Sequence, residues 1–416
     1  MLDGPFQTTN GPTAAETPLD KIDVSDPALF RDNRLWEYFE RLRKEDPVHF
    51  CETSRYGSYW AVTKYKDIMA VDTNHQVFSS EAELGGITIR NQQTDFILPM
   101  FIAMDPPKHD EQRKTVSPIV SPDNLAKLEG TIRNRVCTIL DGLPRDEEFN
   151  WVERVSIELT TQMLATLFDF PWEERHLLTH WSDVTTQENE VVTEEGMEYR
   201  RGELRACGEY FVNLWNERVN EEPRDDLISM LCHGEATKDM DFMEYLGNVL
   251  LLIVGGNDTT RNSLTGGLLA LSENPDQYDK LMADPSLIAT MVPEIIRWQT
   301  PLAHMRRTAL EDVELGGKQI KKGDKVIMWY VSGNRDTDVI EDADKFIIDR
   351  ARPRQHLSFG FGIHRCVGNR LGEMQLRIVW EEVLKRFPKI EVVGKPTRVF
   401  SSFVNGYEEM FVRIPS

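Results

Sequence analysis

The residues with the clearest chemical potential lie in segment 359–368, where one cysteine follows closely spaced glycines. Gly360 and Gly362 let the backbone turn tightly and pass close to a flat ligand, because they have no Cβ. Cys366 comes next, and the helical spacing of apolar residues begins at 369. A thiolate at a helix N-terminus has a lowered pKa, since free N–H groups and the helix dipole stabilise its charge. The pattern therefore predicts that Cys366 is a sulfur ligand to a metal.

A second group lies in residues 242–273, the longest and most apolar of the predicted helices. Glycine in a helix interior costs about 0.5–1 kcal/mol relative to alanine. Gly255 and Gly256 are therefore expected to serve a purpose, either the approach of a flat ligand or a close contact between helices. Thr259 follows Gly255 by four residues, so its hydroxyl can donate a hydrogen bond to the Gly255 carbonyl and open the helix locally.

A pair of cationic side chains follows Asp105-Pro106-Pro107, where the prolines suit the first turn of a helix. His109 and Arg113 are four residues apart, so they share one helical face. Two donors on one face suit the binding of a carboxylate. A solvated basic helix face is the alternative.

These residues must be positioned by a mainly helical chain with a few short strands. Strands are predicted at 48–50 and 59–62, and a hairpin over 400–414 with its turn near Asn405-Gly406. Residues 79–103 lack a clear period, and their apolar part is either a binding loop or a buried connector. Residues 187–198 are acidic and aperiodic, as in a solvated surface. Apolar spacing predicts helices over 32–45, 64–72, 125–143, 151–167, 172–181, 201–219, 242–273 and 369–386.

The motifs together resemble those of the cytochrome P450 superfamily. Residues 359–368 match Phe-Gly-x-Gly-x-His-x-Cys-x-Gly at every fixed position, which disfavours an incidental cysteine in a turn. Asp-Pro-Pro-x-His-x-x-x-Arg at 105–113, Gly-Gly-x-Asp-Thr at 255–259 and Glu-x-x-Arg at 294–297 precede it in the expected order. The resemblance implies a mainly α, single-domain fold with small β-sheets. Haem b would lie between the long central helix and the helix after the cysteine, with the Cys366 thiolate as its axial ligand.

The resemblance also implies roles for individual residues. Asp258 and Thr259 would supply protons during oxygen activation, whereas Glu294, Arg297 and Arg350 would form a structural network. Arg307 is expected to bind a haem propionate, although the neighbouring Arg306 is the alternative. Haem would be bound by Cys366, His109, Arg113, Arg307, His364, Phe359, Gly360 and Gly255. The substrate would be lined by Leu251, Val254, Leu302, Ala303, Met305, Phe403, Val404 and Met100.

A finer resemblance, to the bacterial alkane terminal-hydroxylase family, rests on residues 102–107 and 356–378. It implies oxidation at the terminal methyl of medium-chain alkanes or fatty acids, which requires a narrow apolar channel that presents one chain end. The net charge of −21 favours neutral alkanes over carboxylates. The alternatives are a hydroxylase of subterminal fatty-acid positions, terpenes or steroids, a peroxygenase, and a non-enzymatic haem sensor. A peroxygenase would usually lack the acid–alcohol pair Asp258-Thr259.

Composition sets the expected surroundings and partners. The acidic chain argues against nucleic acid or an anionic membrane as a partner. The scattered cysteines, at 51, 137, 207, 232 and 366, predict a reducing compartment, and residues 1–23 lack the apolar run of a signal peptide or anchor, so we expect a cytoplasmic bacterial enzyme. Residues 1–25 are interpreted as a loosely packed leader and 26–416 as the haem-thiolate domain.

Electrons must come from another protein, because the sequence shows no flavin or nucleotide domain and no cysteine cluster for iron and sulfur. A ferredoxin with its reductase is the expected donor. Arg365, Arg370 and Arg377 lie near the thiolate and form a candidate docking patch in an acidic protein, with an ordinary surface scatter as the alternative.

Overall fold

Helices make up most of the chain, as predicted. The computed structural model describes residues 11–91, 96–186, 188 and 193–416. Its α-helices are α1 (Pro27–Arg31), α2 (Leu35–Glu45), α3 (Tyr65–Asp72), α4 (Lys108–Val116), α5 (Pro122–Asp141), α6 (Glu158–Phe168), α7 (His176–Thr186), α8 (Glu194–Arg218), α9 (Leu227–His233), α10 (Phe242–Glu273), α11 (Pro275–Ala283), α12 (Ile288–Gln299), α13 (Tyr330–Gly333) and α14 (Asn369–Arg386).

The strands form three small sheets at the sides of the helices. The strands are β1 (Val48–Cys51), β2 (Tyr59–Val62), β3 (Phe78–Ser79), β4 (Glu148–Asn150), β5 (Met305–Ala309), β6 (Val313–Leu315), β7 (Lys318–Ile320), β8 (Lys325–Met328), β9 (Glu391–Arg398) and β10 (Tyr407–Arg413). The largest sheet has the order β1-β2-β8-β5-β3, with β2 parallel to β8 and the other neighbours antiparallel. The orders β4-β10-β9 and β6-β7 describe the other two. The first sheet places β5, and with it Arg307, beside the helical core.

Helix α10 crosses the centre of the molecule and has the predicted bounds. The Asp241 side chain caps its N-terminus by accepting from the Glu244 N–H at 2.9 Å. Apolar residues all round the helix bury it, and α6, α7, α8, α12 and α14 pack against it. Because α10 and α14 are in direct contact, the glycine-threonine segment and the cysteine segment lie on opposite walls of one interior space.

Some predicted boundaries are wrong for identifiable reasons. The helix predicted from 151 begins as a π-helical turn, Val152–Ile157, before α6. The helix predicted over 172–181 is a short 3₁₀ turn followed by α7. The first strand of the C-terminal hairpin, β9, ends before residue 400, so that 399–406 form the connection rather than a strand. Local apolar spacing did not reveal these element boundaries. At 399–406, for example, a buried loop has the same apolar residues as a strand.

The leader was expected to be loosely packed, but its described part, residues 11–25, is held against α2. Ile22 and Val24 are buried. Tyr38 donates a hydrogen bond to the Pro12 carbonyl, and Arg41 donates to carbonyls of Ala14 and Thr17. Residues 1–10 lie outside the described residues, as do residues 187 and 189–192 of the predicted acidic surface and residues 92–95 of the irregular segment. None of the helices described is both long and apolar enough to cross a membrane.

Candidate functional site

The cysteine loop is shaped by two glycines that face α3. Gly360 and Gly362 have φ angles of +63° and +68°, in the left-handed region that favours glycine. An added Cβ on Gly362 would lie 2.7 Å from the Asp72 carbonyl oxygen. Gly360 also lines the cavity, as expected, whereas Gly362 makes room for α3. The loop then turns back, and the Cys366 N–H donates to the Phe359 carbonyl at 2.8 Å.

Asp72, at the end of α3, fastens this loop to the sheet and was missed by the sequence analysis. Its buried carboxylate accepts from the Phe361 N–H at 2.7 Å, the Tyr330 hydroxyl at 2.8 Å and the Arg307 guanidinium at 2.9 Å. Burial raises the pKa of Asp72, and Arg307 opposes that shift. One carboxylate therefore positions both the cysteine loop and a predicted ligand-binding arginine. A lone aspartate in a helix carries no motif that would have revealed this.

Cys366 faces a cavity of about 570 Å³ between α10, the cysteine loop and β5. Its other walls come from Leu98, residues 100–103, α7 and α8, so the apolar part of the irregular segment lines the cavity. Of the residues predicted to contact ligands, the cavity brings together Cys366, Arg113, Arg307, His364, Phe359, Gly360, Gly255, Thr259, Leu251, Val254, Leu302, Met305, Phe403 and Met100.

Ala303 and Val404 were predicted to contact the substrate, and both predictions are wrong. Ala303 is fully buried in a separate apolar cluster with Trp329, and Val404 is 1% exposed. Leu302 and Phe403 line the cavity, whereas Ala303 and Val404, the next residues along the chain, are buried in the packed interior beside it.

Four basic side chains cluster beside the cysteine loop. The His109 and His364 rings are in edge-on contact, with centroids 4.4 Å apart. Burial lowers the pKa of both, that of His364 to about 2. His109 Nε2 and His364 Nδ1 are buried without a hydrogen-bond partner. Arg113 and Arg307 line the cavity nearby, so this cluster offers several donors to an anionic group.

The choice between the two adjacent arginines of β5 follows from the pleat of the strand. Arg307 lines the cavity and is held by Asp72. Arg306 points to the opposite side, where it donates to the Leu84 carbonyl at 3.0 Å and to Asn91 at 2.9 Å. The structure thus places the predicted Arg307, and not Arg306, in the cluster.

The motif at residues 255–259 of α10 contacts both the cavity and a neighbouring helix. Thr259 donates to the Gly255 carbonyl at 2.9 Å, as predicted, and both residues line the cavity. An added Cβ on Gly255 would meet nothing within 4 Å, whereas one on Gly256 would lie 2.7 Å from Leu164. Gly255 therefore leaves space at the cavity, and Gly256 serves the alternative purpose, a contact with α6.

Asp258, expected to supply protons together with Thr259, does not line the cavity that Thr259 lines. It is fully buried, is paired with Arg261, and accepts from the Ser182 hydroxyl at 2.9 Å. Arg261 also donates to Asp183 at 3.0 Å, and Asp183 is 39% exposed. Burial raises the pKa of Asp258, and Arg261 opposes that shift. An acid–base chain therefore leads from the surface of α7 to the helix that carries Thr259.

Comparison with known proteins identifies this arrangement. Residues 144–404 match the family model described as Cytochrome P450. The chain belongs to the cytochrome P450 family. It is 36% identical to a linalool 8-monooxygenase of Pseudomonas putida over 95% of this chain and 99% of that one. The P450 is therefore a haem-thiolate monooxygenase.

Two solved structures resemble the whole P450 chain. CYP153D17 from Sphingomonas sp. PAMC 26605 is 50% identical with a TM-score of 0.91, over 96% of this chain and all of that one. Cytochrome P450-153 from Novosphingobium aromaticivorans is 47% identical with a TM-score of 0.90, over 94% of this chain and 99% of that one. The P450 fold predicted from the motifs is thus confirmed.

The residues present fit haem. The unpartnered nitrogens of His109 and His364, together with Arg113 and Arg307, supply donors for two propionates, and Gly255 leaves open space on the facing wall. Cys366 supplies the thiolate. Burial raises the pKa of the Cys366 thiol, although the Gly368 N–H and the charges of Arg113 and Arg365 oppose this. The lowered pKa expected from the helix N-terminus is therefore wrong for the chain alone, and coordination to iron supplies the charge that favours the thiolate.

Proposed function

We propose that the enzyme hydroxylates the terminal methyl of medium-chain alkanes or fatty acids, with electrons from a ferredoxin and its reductase. The observation that carries this proposal is the apolar wall around Cys366 and Thr259. It consists of Leu98, Met100, Phe101, Ile102, Leu250, Leu251, Val254, Leu302, Met305 and Phe403. Such a wall binds a hydrocarbon chain through the burial of apolar surface, at about 25 cal/mol per Å². The resemblance of residues 102–107 and 356–378 to alkane terminal hydroxylases supports the choice of chain end.

The reaction consumes one substrate, O₂, two electrons and two protons, and it yields the alcohol and water. Haem, when bound, supplies the oxygen activation that cleaves an unactivated C–H bond. The protein binds the chain and holds the Thr259 hydroxyl beside the reacting space. Asp258 is the proton-carrying group at α10, and Arg261 positions it by bonding to both Asp258 and Asp183.

The proposed ferredoxin patch lies on the surface behind Cys366. Arg365 and Arg370 are exposed there. Arg377 is instead held by Glu129 and Glu381, each at 2.8 Å, so it contributes less free positive charge. The two exposed arginines suit an acidic ferredoxin and would steer its approach at low ionic strength.

Product analysis tests the proposed function. The holoenzyme is incubated with a ferredoxin, its reductase, and a mixture of alkanes from hexane to dodecane and the corresponding fatty acids. We expect mainly primary alcohols and omega-hydroxy acids, because the apolar wall presents one chain end. Mainly subterminal alcohols would contradict the proposal. Linalool is included because of the Pseudomonas putida relative, and its selective oxidation would favour the second candidate, a terpene hydroxylase.

Thr259→Ala is expected to uncouple electron use from product formation. Without the hydroxyl beside the reacting space, proton delivery is misdirected, and product formation falls about 100-fold or more. Oxygen consumption continues, and the missing oxygen appears as hydrogen peroxide. Parallel assays of NADH, product and peroxide measure this change.

Thr265→Ala provides a matched control for Thr259→Ala. Thr265 lies on the same helix and also bonds back to a carbonyl, that of Arg261 at 3.2 Å, but it does not line the cavity. We expect its coupling to equal that of the wild type. Equal peroxide release by both variants would overturn the role of Thr259.

A further inference from the structure

A second basic group lines the cavity at α8. Arg200 and Arg201, near the start of that helix, and Arg90 from the irregular segment all contribute to the lining. Arg200 Nε donates to the Val184 carbonyl at 3.1 Å, and Arg200 Nη2 donates to the Thr185 carbonyl at 2.8 Å. These two bonds hold the guanidinium at the C-terminal end of α7, whose partial negative charge favours a cation.

This group is distinct from the basic cluster beside the cysteine loop. The charges acting on His364 are those of Arg307, His109, Arg113 and His75. The charge acting on Arg200 is that of Arg90. The two groups therefore lie in different parts of the cavity, and the four residues that fit the haem propionates leave Arg200 without a role.

Arg200 also has no carboxylate partner among the described residues. The one carboxylate in the described lining is Glu188, and its oxygens are already occupied. Glu188 Oε1 accepts from the Ser401 hydroxyl at 2.8 Å and the Ser402 N–H at 2.9 Å, and Oε2 accepts from the Tyr56 hydroxyl. The hydrogen bonds that Arg200 makes to described residues go to carbonyl oxygens. A largely enclosed guanidinium that has no counter-charge among the described residues suits an anion.

The pKa of Arg200 agrees with this geometry. Burial lowers it to about 9, and the charge of Arg90 lowers it further in the same direction. At neutral pH the side chain is still protonated, and a bound carboxylate would relieve both effects.

We propose that Arg200 binds the carboxylate of a fatty acid whose methyl end reaches Thr259 and Cys366, with Arg90 adding positive potential. This inference rests on the proposed function, and it narrows the substrate class from hydrocarbons in general to carboxylate-bearing chains. It also revises an expectation. The net charge of −21 favoured neutral alkanes, but the local charge at the binding site determines selectivity, because distant surface charges are screened within about 8–10 Å.

Calorimetric titration of the wild-type holoenzyme with decanoate and methyl decanoate is the first test. The two ligands share an apolar chain and differ in charge, and a charge-assisted hydrogen bond corresponds to about a 10- to 100-fold difference in Kd. We expect decanoate to bind more tightly by this factor. Equal affinities would overturn the carboxylate site, and this outcome requires no variant to fold.

Arg200→Gln is the second test. We expect the ratio of the two affinities to fall to about 1, whereas Arg200→Lys retains part of it because the charge is kept. Arg205→Gln is the matched control, since Arg205 is exposed on the same helix and does not line the cavity. An unchanged ratio in Arg200→Gln, or an equal loss in Arg205→Gln, would contradict the assignment.

The carboxylate site and the proposed function can be contradicted separately. Terminal oxidation of decane with no preference for decanoate would overturn the carboxylate site and leave the proposed reaction intact. Tight binding of decanoate followed by subterminal hydroxylation would support the carboxylate site and contradict the proposed chain end.

Discussion

Cys366→Ala is expected to reduce hydroxylation at least about 1,000-fold, equivalent to about 4 kcal/mol in the barrier. The reason is that Cys366 is the one thiol in the described lining of the cavity, so no other described cysteine can take its place. With haem bound, the Cys366 thiolate would supply the electron density that favours oxygen cleavage. Product formation and the spectrum of the reduced carbon monoxide complex measure the loss of activity and of thiolate ligation.

Cys137→Ala is the control for this experiment. Cys137 is partly buried on α5 and donates to Glu382 at 3.5 Å, outside the cavity. It is expected to keep both the wild-type spectrum and the wild-type activity. Hydroxylation by Cys366→Ala at the wild-type rate would contradict thiolate ligation by this residue.

Most of the features that depend on short sequence motifs were predicted correctly. The bounds of α10 and α14, the Thr259–Gly255 hydrogen bond and the placement of Cys366 in the cavity all agree with the structure. Each depends on residues within about five positions of one another, where spacing alone determines which side chains share a face.

Features that depend on tertiary packing were not predictable in this way. Asp72 gains its role from contacts with residues more than 200 positions away. The substrate prediction failed at Ala303 and Val404 because both side chains are buried in the packed interior, and local spacing does not state which apolar residues reach the cavity. The pKa of Cys366 is raised because burial outweighs the helix N-terminus, and burial depends on the whole fold.

The charge around Arg200 also could not be predicted from the sequence. It lies just after residues 187–198, which were interpreted as an acidic, solvated surface. The fold instead turns Arg200 toward the cavity and places Glu188 in buried contact with Ser401 and Ser402. The net charge of a chain therefore predicts its long-range field but not the polarity of one enclosed site.

Glu294→Gln is expected to destabilise the protein by about 3–5 kcal/mol, the usual cost of breaking a buried ion pair. Glu294 is fully buried, and its carboxylate accepts from Arg297 at 2.7 and 2.8 Å and from Arg350 at 2.9 Å. It also accepts from the Ile347 N–H at 2.8 Å. Glutamine keeps the volume but leaves two guanidiniums without a counter-charge. Urea unfolding of the holoenzyme, followed by haem absorbance and circular dichroism, measures the change.

If Glu294 has a structural role, Glu294→Gln should lower the stability of the protein and leave the coupling of electron use to product formation unchanged. Arg297 also donates to the carbonyls of Asn334 and Ala343, at 2.7 and 2.8 Å, so the network joins α12 to the segment that leads toward the cysteine loop. We therefore expect haem release to accompany unfolding, while the coupling of the remaining folded enzyme stays normal. Glu40→Gln, which removes an exposed ion pair with Lys44, should cost about 0.5 kcal/mol or less. Wild-type stability in Glu294→Gln, or increased peroxide release by the folded fraction, would show that Glu294 acts in the chemistry rather than in the fold.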